Sequence, residues 1–366
     1  MVDKGGPARV IVWSSGGVGT IAVRTIAARP GLELVGLWVH SPEKVGSDAG
    51  ALCGIGPLGI AATNDTDALL ALRPDCIVYA ASGPDRDAAA VPDYERFLNA
   101  GINVVTVTSP GLMYPAAYDE PARTRLASAA EHGGATLYAS GIEPGFAADQ
   151  LVLTLLTLSN TVRSVRAQEI FLYNEYPVEF MMREVFGFGQ PMAHQPLMSL
   201  PGVQASAWAP PVRMIAHAMG AELDDIRETY ERTLTHQRLQ TAVGIIEAGT
   251  VGAIRMQTIG VVDGRDAIVI EHVNRMGLTV APEWPSAVRD GTYRIVVDGE
   301  PTLHCEMAVG TPATASADGM VATTMRIVNA IPAVCAAAPG LVSSLDLPLT
   351  LPRHAFRTLN RPGIGD

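Results

Sequence analysis

Short, continuous apolar runs alternate with amphipathic stretches over the first 140 residues. Ala8–Trp13 (ARVIVW), Leu32–Val39, Cys76–Ala80, Asn103–Val107 and Ala135–Ala139 are the apolar runs, as expected of strands covered on both faces. Val18–Ala28, Asp65–Leu72, Tyr94–Ala100 and Glu120–His132 carry a helical period between them. This alternation predicts βαβ units with right-handed crossovers, and so a doubly wound parallel sheet.

The pattern changes in the second half. Asp224–Thr235, Gly252–Val262, Ala267–Met276, Thr292–Val297 and Thr302–Val309 follow one another as strands. Asp263-Gly264 and Asp298-Gly299 fall between consecutive strands, and Asp-Gly there predicts hairpin turns that need positive φ. A mixed, largely antiparallel sheet in an α+β unit is expected. Pro177–Gly220, rich in Pro and Met, reads as an irregular, partly helical insertion. Ala317–Ala338 reads as a long helix interrupted by Pro332, and Leu347–Pro352 as an extended tail docking back on the body.

Composition narrows the function. The 366 residues are 48% hydrophobic and 17% charged, enough for a large core and inconsistent with disorder. A formal charge of −11, from 26 Lys+Arg against 37 Asp+Glu, argues against a nucleic-acid partner. Cys53, Cys76, Cys305 and Cys335 form no CxxC and no zinc spacing, so reduced thiols and no metal are expected. None of them falls at a strand end suited to a catalytic thiol, which argues against a semialdehyde dehydrogenase. Met1–Val10 lacks the long apolar region of a signal peptide, and the apolar stretch Leu151–Leu158 is too short to span a bilayer. A cytoplasmic protein without a membrane partner is expected.

The first strand runs into Ser14-Ser15-Gly16-Gly17-Val18-Gly19. Set on GxGxxG, Gly16 and Gly19 keep their places and Ser14 replaces the first glycine. Gly16 lets backbone approach a pyrophosphate, Gly19 lets helix pack on strand, and the helix start offers amide hydrogens. The second strand ends at His40, Ser41 and Lys44, where an NAD-specific site usually has a carboxylate. These residues suit a 2′-phosphate, so NADP is expected; Glu43 beside them keeps NAD as the alternative. Later strand ends carry Ala80-Ala81-Ser82, Thr106 with Thr108 and Ser109, and the Ser140–Phe146 turn with Gly145. Small and hydroxyl residues there suit a dinucleotide lying across the carboxyl edge of the sheet. The expected division is a dinucleotide-binding Rossmann domain over 1–150, a substrate-binding and dimerisation domain over 151–345, and the tail over 346–366.

The strings VIVWSSGGVG, LVGLWVHSPEKVGSDAG, GINVVTVTSPGLMYP and SGIEPGFAADQL resemble the dihydrodipicolinate-reductase-like oxidoreductases. The nearest branch is that of 2,4-diaminopentanoate dehydrogenase and the native amine dehydrogenases. The resemblance implies a Rossmann domain followed by a mixed-sheet domain, a homodimer, and NAD(P) in the cleft. Ala193-His194-Gln195-Pro196 holds one histidine and no following lysine, unlike the paired-histidine segment of true dihydrodipicolinate reductases. Lysine synthesis is therefore not expected. The resemblance also implies a carboxylate near the nicotinamide that holds the ammonium or iminium. None lies in Thr106–Gly111, and Glu143 in the next turn is the candidate.

Reducing an iminium needs a nearby anion, whereas reducing a ketone needs a proton donor. Glu143 suits the first role, and Tyr173, between Glu169 and Glu175, is the second candidate as donor. Phe146, Tyr173, Met181 and Phe186 are expected to line the substrate site, since Phe180–Phe188 is an apolar cluster with only Arg183 as a cation. The expected reaction is reductive amination of small apolar ketones or aldehydes with ammonia. Ketone or aldehyde reduction without ammonia, and a non-catalytic NADP-binding redox sensor, remain the alternatives.

Overall fold

The computed structural model describes residues 6–83, 86–311, 313–353, 355 and 356. Two six-stranded sheets organise them. The first is wholly parallel, in the order β14-β5-β4-β3-β1-β2. Its strands are β1 (Ala8–Trp13), β2 (Leu32–Trp38), β3 (Cys76–Tyr79), β4 (Asn103–Thr106), β5 (Thr136–Ala139) and β14 (Gly340–Val342).

The apolar runs are buried on both faces because alternate residues serve different helix layers. Ile11 and Trp13 pack with Ile77, Tyr79 and Val104 under α4 (Arg86–Asn99) and α5 (Glu120–Gly133). Val10 and Val12 pack with Val78, Val105 and Tyr138 under α1 (Gly17–Ala28), α8 (Ala315–Val328) and α9 (Ile331–Val334). The short helices α2 (Ala49–Leu52) and α3 (Thr66–Ala71) lie in the crossover from β2 to β3.

The second sheet runs β13-β12-β6-β11-β10-β7. Its members are β6 (Thr161–Leu172), β7 (Asp225–Leu234), β10 (Val251–Val262), β11 (Arg265–Arg275), β12 (Thr292–Glu300) and β13 (Leu303–Ala308). Only β6 and β11 pair in parallel; the other neighbours are antiparallel. A small hairpin, β8 (Leu239–Thr241) with β9 (Gly244–Ile246), stands apart. One face of the sheet is covered by α6 (Gln150–Leu156), α7 (Val203–Ala218) and the segment around Phe186 and Phe188.

Asp263 and Gly264 form the tight turn between β10 and β11, both at positive φ. Asp298-Gly299 behaves differently from the expected hairpin turn. Both residues stay inside β12, and the chain turns at Pro301-Thr302 instead. Gly299 lies at a register shift against β6, where a Cβ would come within 2.1 Å of the Thr161 carbonyl oxygen. Its glycine serves a close approach of two backbones, which uses the same residue type as a turn.

The insertion is more helical than its composition predicts. Pro210 and Pro211 lie inside the 16-residue α7, which continues past them because Trp208, Val212, Met214 and Ile215 are buried. The expected long C-terminal helix is two helices, with Pro332 in the first turn of α9, where its missing N–H leaves no bond unmade. Between Ala315 and Val342 the chain returns to the first sheet: α8 packs on α1 and β14 pairs with β5, although Ala315 itself packs with Phe171 and Tyr293 of the second sheet. The expected 151–345 unit had placed this segment with the second sheet. In the tail, Leu347 packs against the core beneath α9, whereas Leu349 and Leu351 are exposed. Residues 354 and 357–366 of the tail lie outside the described residues.

Candidate active site

The first strand hands the chain to α1 through a strained turn. Ser14 adopts φ 110°, a value that glycine ordinarily takes, and its N–H donates to the Trp38 carbonyl at 3.0 Å. Its Oγ accepts from the Gly16 amide at 3.1 Å. Gly16 and Gly17 are exposed at the start of the helix, so its amide end faces outward. A Cβ on Gly16 would meet only Ser14 Oγ, at 3.4 Å, whereas one on Gly19 would come within 1.9 Å of the Ser14 carbonyl oxygen. The loop thus has room toward solvent and none toward the strand, which fits a dinucleotide pyrophosphate. Val18 packs into the core beneath α1, and Lys44 Nζ donates to Ser15 Oγ at 3.2 Å. His40 is exposed near Trp38, and Ser41 opens the short turn that carries Lys44.

At the next strand ends Ala80 and Ala81 are buried and Ser82 is exposed. Thr108 Oγ1 donates to the Ala81 carbonyl at 2.7 Å and ties the two turns together. Thr106 Oγ1 and Ser109 Oγ share hydrogen bonds with the buried Tyr94 hydroxyl at 2.9 and 3.1 Å. These two hydroxyls were expected at the coenzyme; both are buried and brace the turn from behind instead. Gly145, at φ 121°, lets the Ser140–Phe146 turn fold tightly, and its carbonyl accepts from Ser140 Oγ at 3.0 Å. Phe146 lies under the Arg326 guanidinium, 5.2 Å from its ring centroid, rather than beside Glu143's partners.

Glu143 leaves this turn toward the second sheet. Its side chain is 4% exposed, and Oε1 has no hydrogen-bond partner. Burial pushes its carboxyl well above the ordinary range, and the nearby Glu169 and Asp149 push it further; Trp208 and the Ala148 amide pull the other way. Its one ion-pair contact among the described residues is His272 Nε2 at 3.8 Å. Burial lowers the His272 pKa, so the imidazole offers little positive charge. The Trp208 indole lies 4.5 Å from the His272 ring, and its Nε1 is also without a partner.

Sheet register brings the remaining groups together. Tyr293, Glu169 and His272 are direct neighbours across β12, β6 and β11. Glu169 Oε1 accepts from the Tyr173 hydroxyl at 2.5 Å and from Asn274 Nδ2 at 3.0 Å. Tyr173 and Tyr293 are both raised well above the usual tyrosine range, by burial first and then by the Glu169 charge. Tyr173 therefore binds its own proton tightly and directs it at Glu169, which makes it a poor donor to a substrate carbonyl. Below it, Phe186 packs 5.9 Å from the Tyr173 ring, in a core with Phe188, Met182 and Val185; Met181 is half-buried at the edge. Phe186 is thus a floor under Tyr173, and the apolar cluster is mainly the core of the second domain.

Sequence reasoning weighed Glu169 and passed over Trp208, His272 and Asn274. His272 and Asn274 were visible as polar residues two apart in Ala267–Met276, but Glu271 and Arg275 in the same strand hid which of them meet the site. Trp208 gave no local signal; α7 brings it in by packing on β10, β11 and the Pro110–Met113 turn. No group of three or more His, Cys, Asp or Glu among the described residues is placed to hold a metal.

A doubly wound sheet with a strained, glycine-rich turn after its first strand, joined to a mixed sheet that carries a buried carboxyl cluster, fits an oxidoreductase of the dinucleotide-binding type. Family models agree: residues 8–108 match the dihydrodipicolinate reductase N-terminus, and residues 146–358 match the 2,4-diaminopentanoate dehydrogenase C-terminal domain. The chain is 41% identical over 361 residues to an amine dehydrogenase of Streptomyces virginiae, covering 96% of this chain and 98% of that one. It is 25% identical over 254 residues to the 2,4-diaminopentanoate dehydrogenase of Acetoanaerobium sticklandii, covering 68% and 67% of the two. The fold matches the solved amine dehydrogenase of Mycobacterium smegmatis with a TM-score of 0.74 at 22% identity, over 93% of this chain and 96% of that one. The protein belongs to the 2,4-diaminopentanoate dehydrogenase and amine dehydrogenase family. It is a dehydrogenase of a family that binds NAD(P), and the expectation of a non-catalytic sensor is set aside.

Proposed function

We propose that the protein makes small, largely apolar amines from ketones or aldehydes and ammonia, using NADPH, with Glu143 holding the nitrogen. One observation carries this reading. Glu143 is a buried carboxyl with an orphaned oxygen, and among the described residues no Lys or Arg forms an ion pair with it. A carboxyl kept this dry is costly to ionise unless a cation arrives with the substrate. An ammonium or iminium is such a cation; a ketone is not. The coenzyme, when bound at the phosphate loop, supplies the hydride. What the chain supplies is a proton-accepting oxygen at the nitrogen, a water-poor setting among the buried Trp208, His272 and Tyr293, and orientation of the carbon that changes oxidation state.

Lys44 beside Ser15, with no carboxylate at the end of β2, supports NADP over NAD. A homodimer through the second sheet is part of the same reading. Its outer face buries Val269, Val273 and Ile259 around Glu271, which Arg166 and Arg255 neutralise at 3.0 and 2.7 Å. No helix among the described residues is long and apolar enough to cross a membrane; the cytoplasm is the proposed location.

The test is NADPH oxidation with a short ketone, with and without ammonium. Turnover that requires ammonium and yields an amine supports the reading. Equal turnover without ammonium, yielding an alcohol, replaces it with ketone reduction.

A further inference from the structure

We infer that Asn274 is a second nitrogen-binding residue, whose side-chain oxygen works with Glu143 to read both N–H bonds of a primary iminium. The inference rests on the amine reading above and deepens it to the class of nitrogen donor. Asn274 is fully buried. Its Nδ2 donates to Glu169 Oε1 at 3.0 Å, the oxygen that also receives the Tyr173 hydroxyl at 2.5 Å. Glu169 Oε1 accepts both bonds, so the Asn274 amide must turn its NH2 toward Glu169. Its Oδ1 is thereby fixed on the other side as an acceptor, and that oxygen is buried with no partner.

The sheet places Asn274 on the same face of β11 as His272, the residue that meets Glu143. His272 and Asn274 are two residues apart on β11 and share a face, about 6.8 Å apart along the strand. His272 is the residue whose Nε2 lies 3.8 Å from Glu143 Oε1. Two buried, unpaired acceptors, Glu143 Oε1 and Asn274 Oδ1, are thus linked through His272 and Glu169 into one polar cluster. A primary iminium offers two N–H donors, one for each. The iminium formed from methylamine offers one, and a carbonyl offers none. In this arrangement Glu169 and Tyr173 are positioning residues that hold the amide in its accepting orientation.

The experiment compares ammonia with methylamine as nitrogen donor, at saturating NADPH and ketone, in wild type, Asn274→Ala and Asn274→Leu. Leucine keeps the shape of asparagine and removes the acceptor, so it separates hydrogen bonding from added room. Thermal melting and the KM for NADPH serve as fold controls. Both variants are expected to lose on the order of tenfold in kcat/KM for ammonia and far less for methylamine, so the preference for ammonia falls about tenfold. An unchanged preference overturns the inference, and so does an equal loss with both donors, which marks a structural role. A shift in the alanine variant alone overturns it as an effect of size. A wild type that forms no amine with either donor removes the reading beneath, which is a different result from an ammonia-dependent wild type with indifferent variants.

Discussion

Glu143→Gln should move activity and stability in opposite directions. Glutamine keeps the shape and an oxygen acceptor, and removes only the negative charge. With the side chain 4% exposed and no Lys or Arg paired to it, nothing described nearby can replace that charge under a cationic iminium. Two charges about 3 Å apart attract by roughly 5.5 kcal/mol at an effective dielectric constant of about 20, as an upper bound. Removing one partner of a buried charge pair costs about 2–5 kcal/mol. Amine formation should therefore fall between about 30-fold and about 5,000-fold in kcat/KM at pH 7 to 8. The folded protein holds the Glu143 proton more tightly than the unfolded chain does, because burial, Glu169 and Asp149 raise its pKa above the ordinary 4.5. The stability tied to that proton is full below 4.5 and is lost as pH rises through the raised value. Glutamine has no proton to lose. The variant should melt higher than wild type at neutral and alkaline pH, and the two curves should converge toward acid. Calorimetry across pH, with steady-state kinetics on the same samples, reads both effects. A variant that is less stable at every pH, or that keeps wild-type amination, refutes the reasoning.

Gly19→Ala puts a Cβ within 1.9 Å of the Ser14 carbonyl oxygen, so α1 must retreat by more than 1 Å; a melting point lower by several degrees and weaker NADPH binding are expected. Gly16→Ala has ordinary contact room and should melt like wild type, so equal losses in the two variants would contradict the packing account. Lys44→Ala should raise the KM for NADPH about 10- to 100-fold with little change for NADH; equal changes would remove Lys44 from coenzyme choice. Light scattering should give twice the 38.5 kDa chain mass, and a monomer at micromolar concentration would reject the dimer.

The inner strands of the first sheet were legible because β3 and β5 are buried at every position, and β1 and β4 nearly so, which demands apolar residues throughout, and because Gly16 and Gly19 follow β1. The return of the chain to that sheet was not. β14 is a three-residue strand, too short to show a period, and it pairs with β5 some 200 residues earlier. Pro210-Pro211 disguised α7, since local rules forbid what its tertiary packing tolerates. Within the site, Glu143 could be found from its place in a strand-end turn. Glu169 and Asn274 lie among several other polar residues in β6 and β11, and alternation alone does not say which face meets the cleft. The partners of Glu143 come from β6, β11, β12 and α7, and only the register among those elements reveals that they form one cluster.

Burial favours the neutral form of the Glu143 carboxyl, and a nitrogen cation seated against it favours the ionised form. Infrared difference spectra of wild type, referenced to Glu143→Gln, measure this directly at pH 7. The expected result is a protonated-carboxyl band in the free enzyme that disappears when an amine product binds with NADP. A carboxyl already ionised without ligand, or one that stays protonated with the amine bound, would contradict it.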